Sequence, residues 1–95
     1  MFKLIDKELY KGIAAYTYEI YDSDHDVIGK IMILVGLGRH DAGIVFNNRK
    51  IGPVDACKYI EAFRELLDND FIDIDEPHDK IIISEIVYED PDYLF

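Results

Sequence analysis

Alternation of apolar and polar positions predicts three strands in the first half of the chain. From Tyr10 to Tyr21, apolar and aromatic residues recur at every second position, which is the period of a strand with two distinct faces. Two more apolar runs follow, from Val27 to Val35 and from Ala42 to Phe46. The connections between these runs are too short for a helical crossover, so we expect an antiparallel meander. Phe2 to Ile5 is a candidate for an additional edge strand.

The period changes to that of a helix after Gly52-Pro53. Proline is tolerated in the first helical turn, because its missing N–H would have no partner there. Apolar residues then recur at steps of three and four positions and form one face of the helix. They are Ala56, Ile60, Phe63 and Leu67. We expect the helix to end at Asp68-Asn69-Asp70, where Asn69 suits a left-handed capping conformation.

Two strands are predicted after the helix, a short one from Phe71 to Asp75 and a longer one from Lys80 to Tyr88. The predicted order is therefore β-β-β-α-β-β. We expect an α+β fold, in which one amphipathic helix covers one face of a mostly antiparallel sheet of about five strands. The length of 95 residues predicts a single domain, residues 1–95. Whether residues 89–95 are ordered or form a flexible tail stays open.

Negative charge is concentrated in the second half of the chain. Residues 1–50 hold seven acidic and seven basic residues, whereas residues 51–95 hold thirteen acidic and three basic ones. The net charge of −10 therefore arises entirely after residue 50. Since phosphate repels carboxylate, this distribution argues against binding to nucleic acid or to an anionic membrane and favours a cationic protein partner. The alternative is that the acidity serves only solubility.

Two acidic clusters with neighbouring aromatic residues make up the predicted partner-binding surface. If Asp73 and Asp75 lie on a strand, their side chains project from one face about 6.7 Å apart, a spacing similar to that of successive phosphates on a nucleic-acid strand. The aromatic residues would supply desolvated contact area between the charges. The predicted surface comprises Asp68, Asp70, Asp73, Asp75, Glu76, Asp79, Glu85, Glu89, Asp90, Asp92, Tyr88, Tyr93 and Phe95.

Metal sites are not supported by the spacing of the candidate ligands. Asp22, Asp24 and Asp26 resemble the start of a calcium-binding loop, but the positions that need glycine and a bidentate acid hold Val27 and Ile33. We interpret residues 22–26 as a hairpin turn. The histidines show no regular ligand spacing, and we expect them in surface loops; they are His25, His40 and His78.

Signatures of catalysis are also missing from the sequence. Gly36-x-Gly38 lacks the third glycine and the following helix of a dinucleotide site. Ser23 and Ser84 have no nucleophile-elbow context. Cys57 lies in the second helical turn, where a buried core position is the preferred interpretation over a reactive thiol. We therefore predict a protein that is not an enzyme and needs no cofactor or metal.

The hypothesis that fits these features is a small acidic inhibitor or immunity protein, which neutralises a basic toxin or nuclease domain by occluding its phosphate-binding surface. In size, acidity and lack of catalytic motifs the chain resembles bacterial immunity proteins and phage-encoded inhibitors. One alternative is a phage anti-defence protein, similar to an anti-CRISPR, that mimics DNA. A second is a small ligand- or metal-binding module or enzyme built on the loops Asp22–Asp26 and Arg39–Asp41. A single cysteine and the absence of a signal peptide predict the cytoplasm.

Overall fold

The protein is a five-stranded mixed sheet with one long helix in the connection before the last strand. The computed structural model describes residues 1–36, 38–68 and 81–89. The elements are β1 Phe2–Tyr10, β2 Ile13–Tyr21, β3 Val27–Gly36, β4 Arg39–Asn47, α1 Pro53–Asp68 and β5 Ile82–Glu89. The strands lie in the spatial order β1-β2-β3-β4-β5. Neighbouring strands from β1 to β4 are antiparallel, whereas β5 runs parallel to β4.

The predicted fold class is confirmed: the protein is α+β, with a mostly antiparallel sheet and an amphipathic helix. The order of elements differs, since four strands precede the helix rather than three. The predicted strand from Phe71 to Asp75 lies outside the described residues. The predicted strand from Lys80 to Tyr88 corresponds to β5.

β1 extends well beyond the edge strand predicted for Phe2 to Ile5. The predicted strand was too short because a β-bulge interrupts the alternation of apolar and polar residues. The register with β2 shifts between Leu4 and Asp6, so the side chains on the two sides of the bulge follow opposite parity. Phe2 and Leu4 pack against the core, whereas the charged residues after Ile5 break the apolar period. The pattern therefore does not read as one continuous strand.

The turn between β1 and β2 was missed in the strand predicted for Tyr10 to Tyr21. Lys11 and Gly12 have φ angles of 47° and 84°, and Tyr10 pairs with Ile13 across them. A two-residue turn with positive φ at both positions matches the twist of an antiparallel hairpin. β2 consequently begins at Ile13.

The turn predicted for Asp22 to Asp26 is confirmed. One carboxylate oxygen of Asp22 accepts hydrogen bonds from the backbone N–H groups of Asp24 and Asp26, at 2.9 and 3.0 Å. The backbone N–H of Asp22 donates to the carbonyl of Asp26 at 3.0 Å. His25 takes a left-handed conformation, with φ of 64°. The aspartate at the start of the turn thus closes it, as short polar side chains commonly do.

The core lies between α1 and one face of the sheet. The helix begins at Pro53, and the N–H of Ala56 donates to the carbonyl of Gly52 at 3.0 Å, closing the first turn. Its predicted apolar face is confirmed, since Ala56, Phe63 and Leu67 are buried and Ile60 packs against the core.

The two edge strands of the sheet also contact the helix and the segment just before it. The ring of Phe2, on the edge strand, contacts Phe63 at a centroid distance of 5.7 Å and Tyr59 at 6.4 Å. On the other side, the hydroxyl of Tyr88 in β5 donates to the carbonyl of Ile51 at 2.6 Å. Both edges of the sheet are therefore tied to the segment that carries the helix.

A first prediction concerns the buried hydroxyl of Tyr16. Tyr16 is 1% exposed, and its hydroxyl has no hydrogen-bond partner among the described residues. The substitution Tyr16→Phe keeps the ring, over which the Lys7 ammonium lies 5.4 Å from the centroid. It should raise the free energy of unfolding by about 1 kcal/mol, because an unpaired buried polar group is removed. Urea denaturation measures this, and a loss of stability would show that the hydroxyl is satisfied in solution.

A second prediction compares two strand glycines. A Cβ on Gly29 would lie 2.6 Å from the Val45 carbonyl oxygen, so Gly29→Ala should lower the free energy of unfolding by about 1–3 kcal/mol through overpacking. A Cβ on Gly43 would meet nothing within 4 Å, so Gly43→Ala should cause no loss. Equal changes in the free energy of unfolding, measured by urea denaturation, would contradict the conclusion that Gly29 is tightly packed and Gly43 is not.

Candidate functional site: the open face of the sheet

The sheet has one covered face and one open face. Residues that point towards α1 are buried, among them Tyr16, Ile33 and Ile44. The residues that alternate with them point to the opposite face, where the part of the chain that the structure describes places no second layer. Their exposure is far higher, and Met32 in the central strand is 52% exposed. We call this surface the open face.

Cross-strand registers define the open face as three rows of side chains. In chain order of the strands, the first row is Glu8, Ala15, Leu34, Asp41 and Ile82; the second is Asp6, Thr17, Met32, Gly43 and Glu85; the third is Lys3, Glu19, Lys30, Val45 and Val87. Residues opposite one another on neighbouring strands share a face and touch. The rows therefore describe a continuous surface across all five strands.

A trough of about 640 Å³ crosses the middle of the open face. Gly43 lies in its lining and contributes no side chain, so a gap remains between its neighbours in the second row, Met32 and Glu85. The β4–β5 register also shifts beside Gly43, between its pairing with Glu85 and that of Ala42 with Ile83. The lining includes Thr17, Lys30, Met32, Leu34, Asp41, Gly43, Val45, Ser84, Glu85, Val87 and Glu89.

The open face is acidic. Six carboxylates and two ammonium groups lie on it among the side chains that the structure describes. The carboxylates belong to Asp6, Glu8, Glu19, Asp41, Glu85 and Glu89, and the ammonium groups to Lys3 and Lys30. Apolar side chains lie among them, as expected for a surface that combines charge with contact area.

Tyr21 and Glu19 are linked at one end of the open face. The Tyr21 hydroxyl donates to a Glu19 carboxylate oxygen at 2.6 Å. This hydrogen bond raises the pKa of the Tyr21 hydroxyl above its ordinary value of 10.0, and desolvation and the charge of Glu19 act in the same direction. A deprotonated hydroxyl could no longer donate and would repel the carboxylate, so the neutral tyrosine is favoured.

The predicted partner-binding surface is only partly described, and its described members do not share one face. Glu85 and Glu89 line the trough. Tyr88 points to the other face, where its hydroxyl bonds Ile51, and Asp68 is the exposed last residue of the helix. The four described members of the predicted surface therefore do not lie on one face of the protein. The other predicted residues lie outside the described chain: Asp70, Asp73, Asp75, Glu76, Asp79, Asp90, Asp92, Tyr93 and Phe95.

The acidic residues of β1, β2 and β4 were missed by the sequence analysis. Counting charges along the chain assigned no surplus to residues 1–50. In the fold, Lys3 and Lys30 lie on the open face, but two other basic residues of that half do not: Lys7 covers the Tyr16 ring on the helix side, and Lys11 lies in a turn. The signal that could have found the face was alternation, since Glu19 follows Thr17 and Ala15 at steps of two.

The loops Asp22–Asp26 and Arg39–Asp41 cannot form one site. β3 joins the first loop to the turn before the second and contains ten residues, which span about 30 Å. The two loops that this alternative combines therefore lie at opposite ends of the sheet. In the described residues, no group of three His, Cys, Asp or Glu side chains is arranged to hold a metal ion.

Cys57 is exposed on the helix, so the expectation of a core position is wrong. The apolar face passes through Ala56, and the next position along a helix is rotated by about 100° from it.

The helix that the structure describes falls short of what a membrane span requires in length and apolar character. Comparison with known proteins finds no matching family, no matching curated protein and no matching solved structure.

A third prediction follows from the Tyr21–Glu19 hydrogen bond. Because the pKa of Tyr21 is raised in the folded state, this group stabilises the fold below pH 10, and its contribution is lost as the pH rises through the folded pKa. Glu19→Gln should lower the pKa of Tyr21 towards its ordinary value. NMR titration of the tyrosine ring carbons measures this, with Tyr59 as the internal control. An unchanged Tyr21 pKa would contradict the assigned cause.

Proposed function

We propose that this protein binds a cationic protein through its open face and neutralises it by occlusion, as an inhibitor or immunity protein does. The observation that carries the proposal is the composition of the open face, where, among the side chains that the structure describes, six carboxylates outnumber two lysines. A surface with this charge attracts Lys- and Arg-rich surfaces and raises the rate of encounter with them.

We infer the class of partner from the group whose place the carboxylates can take, which is phosphate. A toxin or nuclease domain that binds phosphate presents Lys and Arg side chains, which also pair with carboxylates. Glu85 and Glu89 lie four residues apart on β5 and face the same way. Covering those cations with a rigid acidic sheet would exclude the nucleic acid from the partner. Exposed apolar side chains such as Met32 would add contact energy when water is expelled.

A second copy of the chain is a poor occupant for this face. Two open faces brought together would each carry an excess of carboxylates, and like charges across an interface cost several kcal/mol. With a cationic partner the charges across the interface attract one another instead. The exposed thiol of Cys57 fits a reducing, cytoplasmic compartment, which we include in the proposal.

The fourth prediction tests the open face by charge reversal. The tagged protein is used to capture partners from lysate of its source organism, and the captured protein is purified and its affinity measured by calorimetry at several salt concentrations. Glu85→Lys with Glu89→Lys should weaken binding at least tenfold, or about 1.4 kcal/mol, and should lessen the salt dependence. Both effects follow from the loss of attraction across the interface.

The control variant carries Glu61→Lys with Glu65→Lys, which makes the same change in net charge on the exposed side of α1. It should bind nearly as the unmodified protein does. Equal weakening by both variants would mean that only the total charge matters, and a partner unaffected by Glu85→Lys with Glu89→Lys would contradict the open face as the binding surface. A captured nucleic-acid-channel protein of a defence system, rather than a toxin, would favour the DNA-mimic alternative.

A further inference from the structure

The two edges of the sheet are built differently. At β1, a bulge between Leu4 and Asp6 interrupts the ladder, and charged side chains surround it. At the other edge, β5 pairs with β4, and no other strand that the structure describes lies beside it. After a single shift behind Ile83, the residues from Glu85 to Glu89 stay in regular register with β4. β5 contains neither lysine nor proline, which commonly protect an edge strand from further pairing.

The backbone groups of Ile86 and Tyr88 point towards this second edge. The carbonyl of Glu89 accepts a hydrogen bond from the N–H of Asn48, next to the end of β4, at 3.1 Å. Along a strand, the N–H and C=O groups of successive residues point alternately to its two sides. Since those of Glu89 point towards β4, those of Tyr88 and Ile86 point away from it. Backbone groups arranged in this way at a sheet edge are a template for a further strand.

The side chains of β5 present a different surface on each face of the sheet. Ile86 and Tyr88 lie on the helix side, since they pair with the buried residues Ile44 and Phe46 of β4, but they are still 46% and 38% exposed. Glu85 is exposed on the open face. A strand added at this edge would therefore meet apolar side chains on one face and a carboxylate on the other.

We infer that β5 pairs with an extended segment of the cationic partner, in which basic and apolar residues alternate. Its basic side chains would lie beside Glu85 on the open face, and its apolar side chains beside Ile86 on the helix side. In strand addition the backbone hydrogen bonds supply affinity, and the alternate side chains supply specificity. Opposite charges and apolar pairs across neighbouring strands both stabilise such a pairing. This inference rests on the proposed function and adds to it the way in which the partner binds.

Charge favours a cationic segment over a second copy of the chain at this edge. β5 carries two carboxylates and no basic residue, and each copy has a net charge of −10. Two β5 strands side by side would bring these charges together, and like charges across an interface are unfavourable. A segment with lysine or arginine at alternate positions replaces this repulsion by attraction.

The fifth prediction uses defined peptides and the complete chain. One short capped peptide alternates lysine and valine, and a second has the same sequence with N-methyl groups on its central amides, which keeps the charges but removes the backbone donors. Binding is followed by NMR at low ionic strength. The unmethylated peptide should slow hydrogen exchange of the Ile86 and Tyr88 amides by about tenfold, because their N–H groups enter hydrogen bonds. The methylated peptide should bind about tenfold more weakly.

Two substitutions at one edge position test the backbone donor. Ile86→Pro removes an N–H that points away from β4 and is of the kind that edge strands tolerate, so it should weaken the unmethylated peptide by about tenfold. Ile86→Val is the matched control, since it keeps the N–H and an apolar side chain, and it should bind as the unmodified chain does. The exchange measurement on the unmodified chain decides the question if Ile86→Pro does not fold.

The outcomes separate this inference from the proposed function. If the unmethylated peptide shifts amide signals of the open face but leaves exchange of Ile86 and Tyr88 unchanged, or if the methylated peptide binds equally well, strand addition is wrong while a cationic partner stands. If both amides are already protected in the free chain, whether monomeric or dimeric by sedimentation, the chain or a second copy occupies the edge and the inference is overturned. If neither peptide binds, both proposals fail together.

Discussion

Burial of one sheet face beneath a single helix is the constraint on which the rest of the structure depends. The helix contributes Ala56, Phe63 and Leu67 to the core, and the three central strands supply most of the remainder. One helix can cover only one side of a sheet. The described chain therefore leaves the other side of a five-stranded sheet without a covering layer, and the polar and charged residues of the central strands lie there.

The parallel pairing of β5 follows from the same constraint. A chain that crosses the sheet on a helix returns to the end from which β4 started, so the next strand runs in the same direction as β4. The Tyr88 hydroxyl, bonded to the Ile51 carbonyl, joins β5 to the segment just before the helix. The C-terminal end of β5 is therefore fixed to the segment from which the crossover starts, and Glu85 and Glu89 lie on a strand that is tied to that segment.

Sequence patterns predicted the parts of the fold where one period extends over many residues. The helix from Pro53 and the alternation in β2 are such parts, because burial on one side selects every second or every third and fourth residue. β1 was underestimated, because the bulge after Leu4 reverses its parity and an edge strand buries less. The candidate site could be predicted only in part. Glu85 and Glu89 belong to an acidic stretch of the sequence, whereas Glu8, Glu19 and Asp41 are placed on the same face only by the pairing of the strands.

The bulged edge of β1 has a consequence for assembly. An unpaired strand edge is normally a template on which another chain can add a strand. Along β1 the bulge between Leu4 and Asp6 interrupts the ladder of backbone groups, and the charges of Lys3, Asp6, Lys7 and Glu8 surround it. Growth of the sheet past this edge is therefore disfavoured. If the open face binds another protein, the interrupted edge of β1 allows this without copies of the chain adding to one another as strands of a fibre.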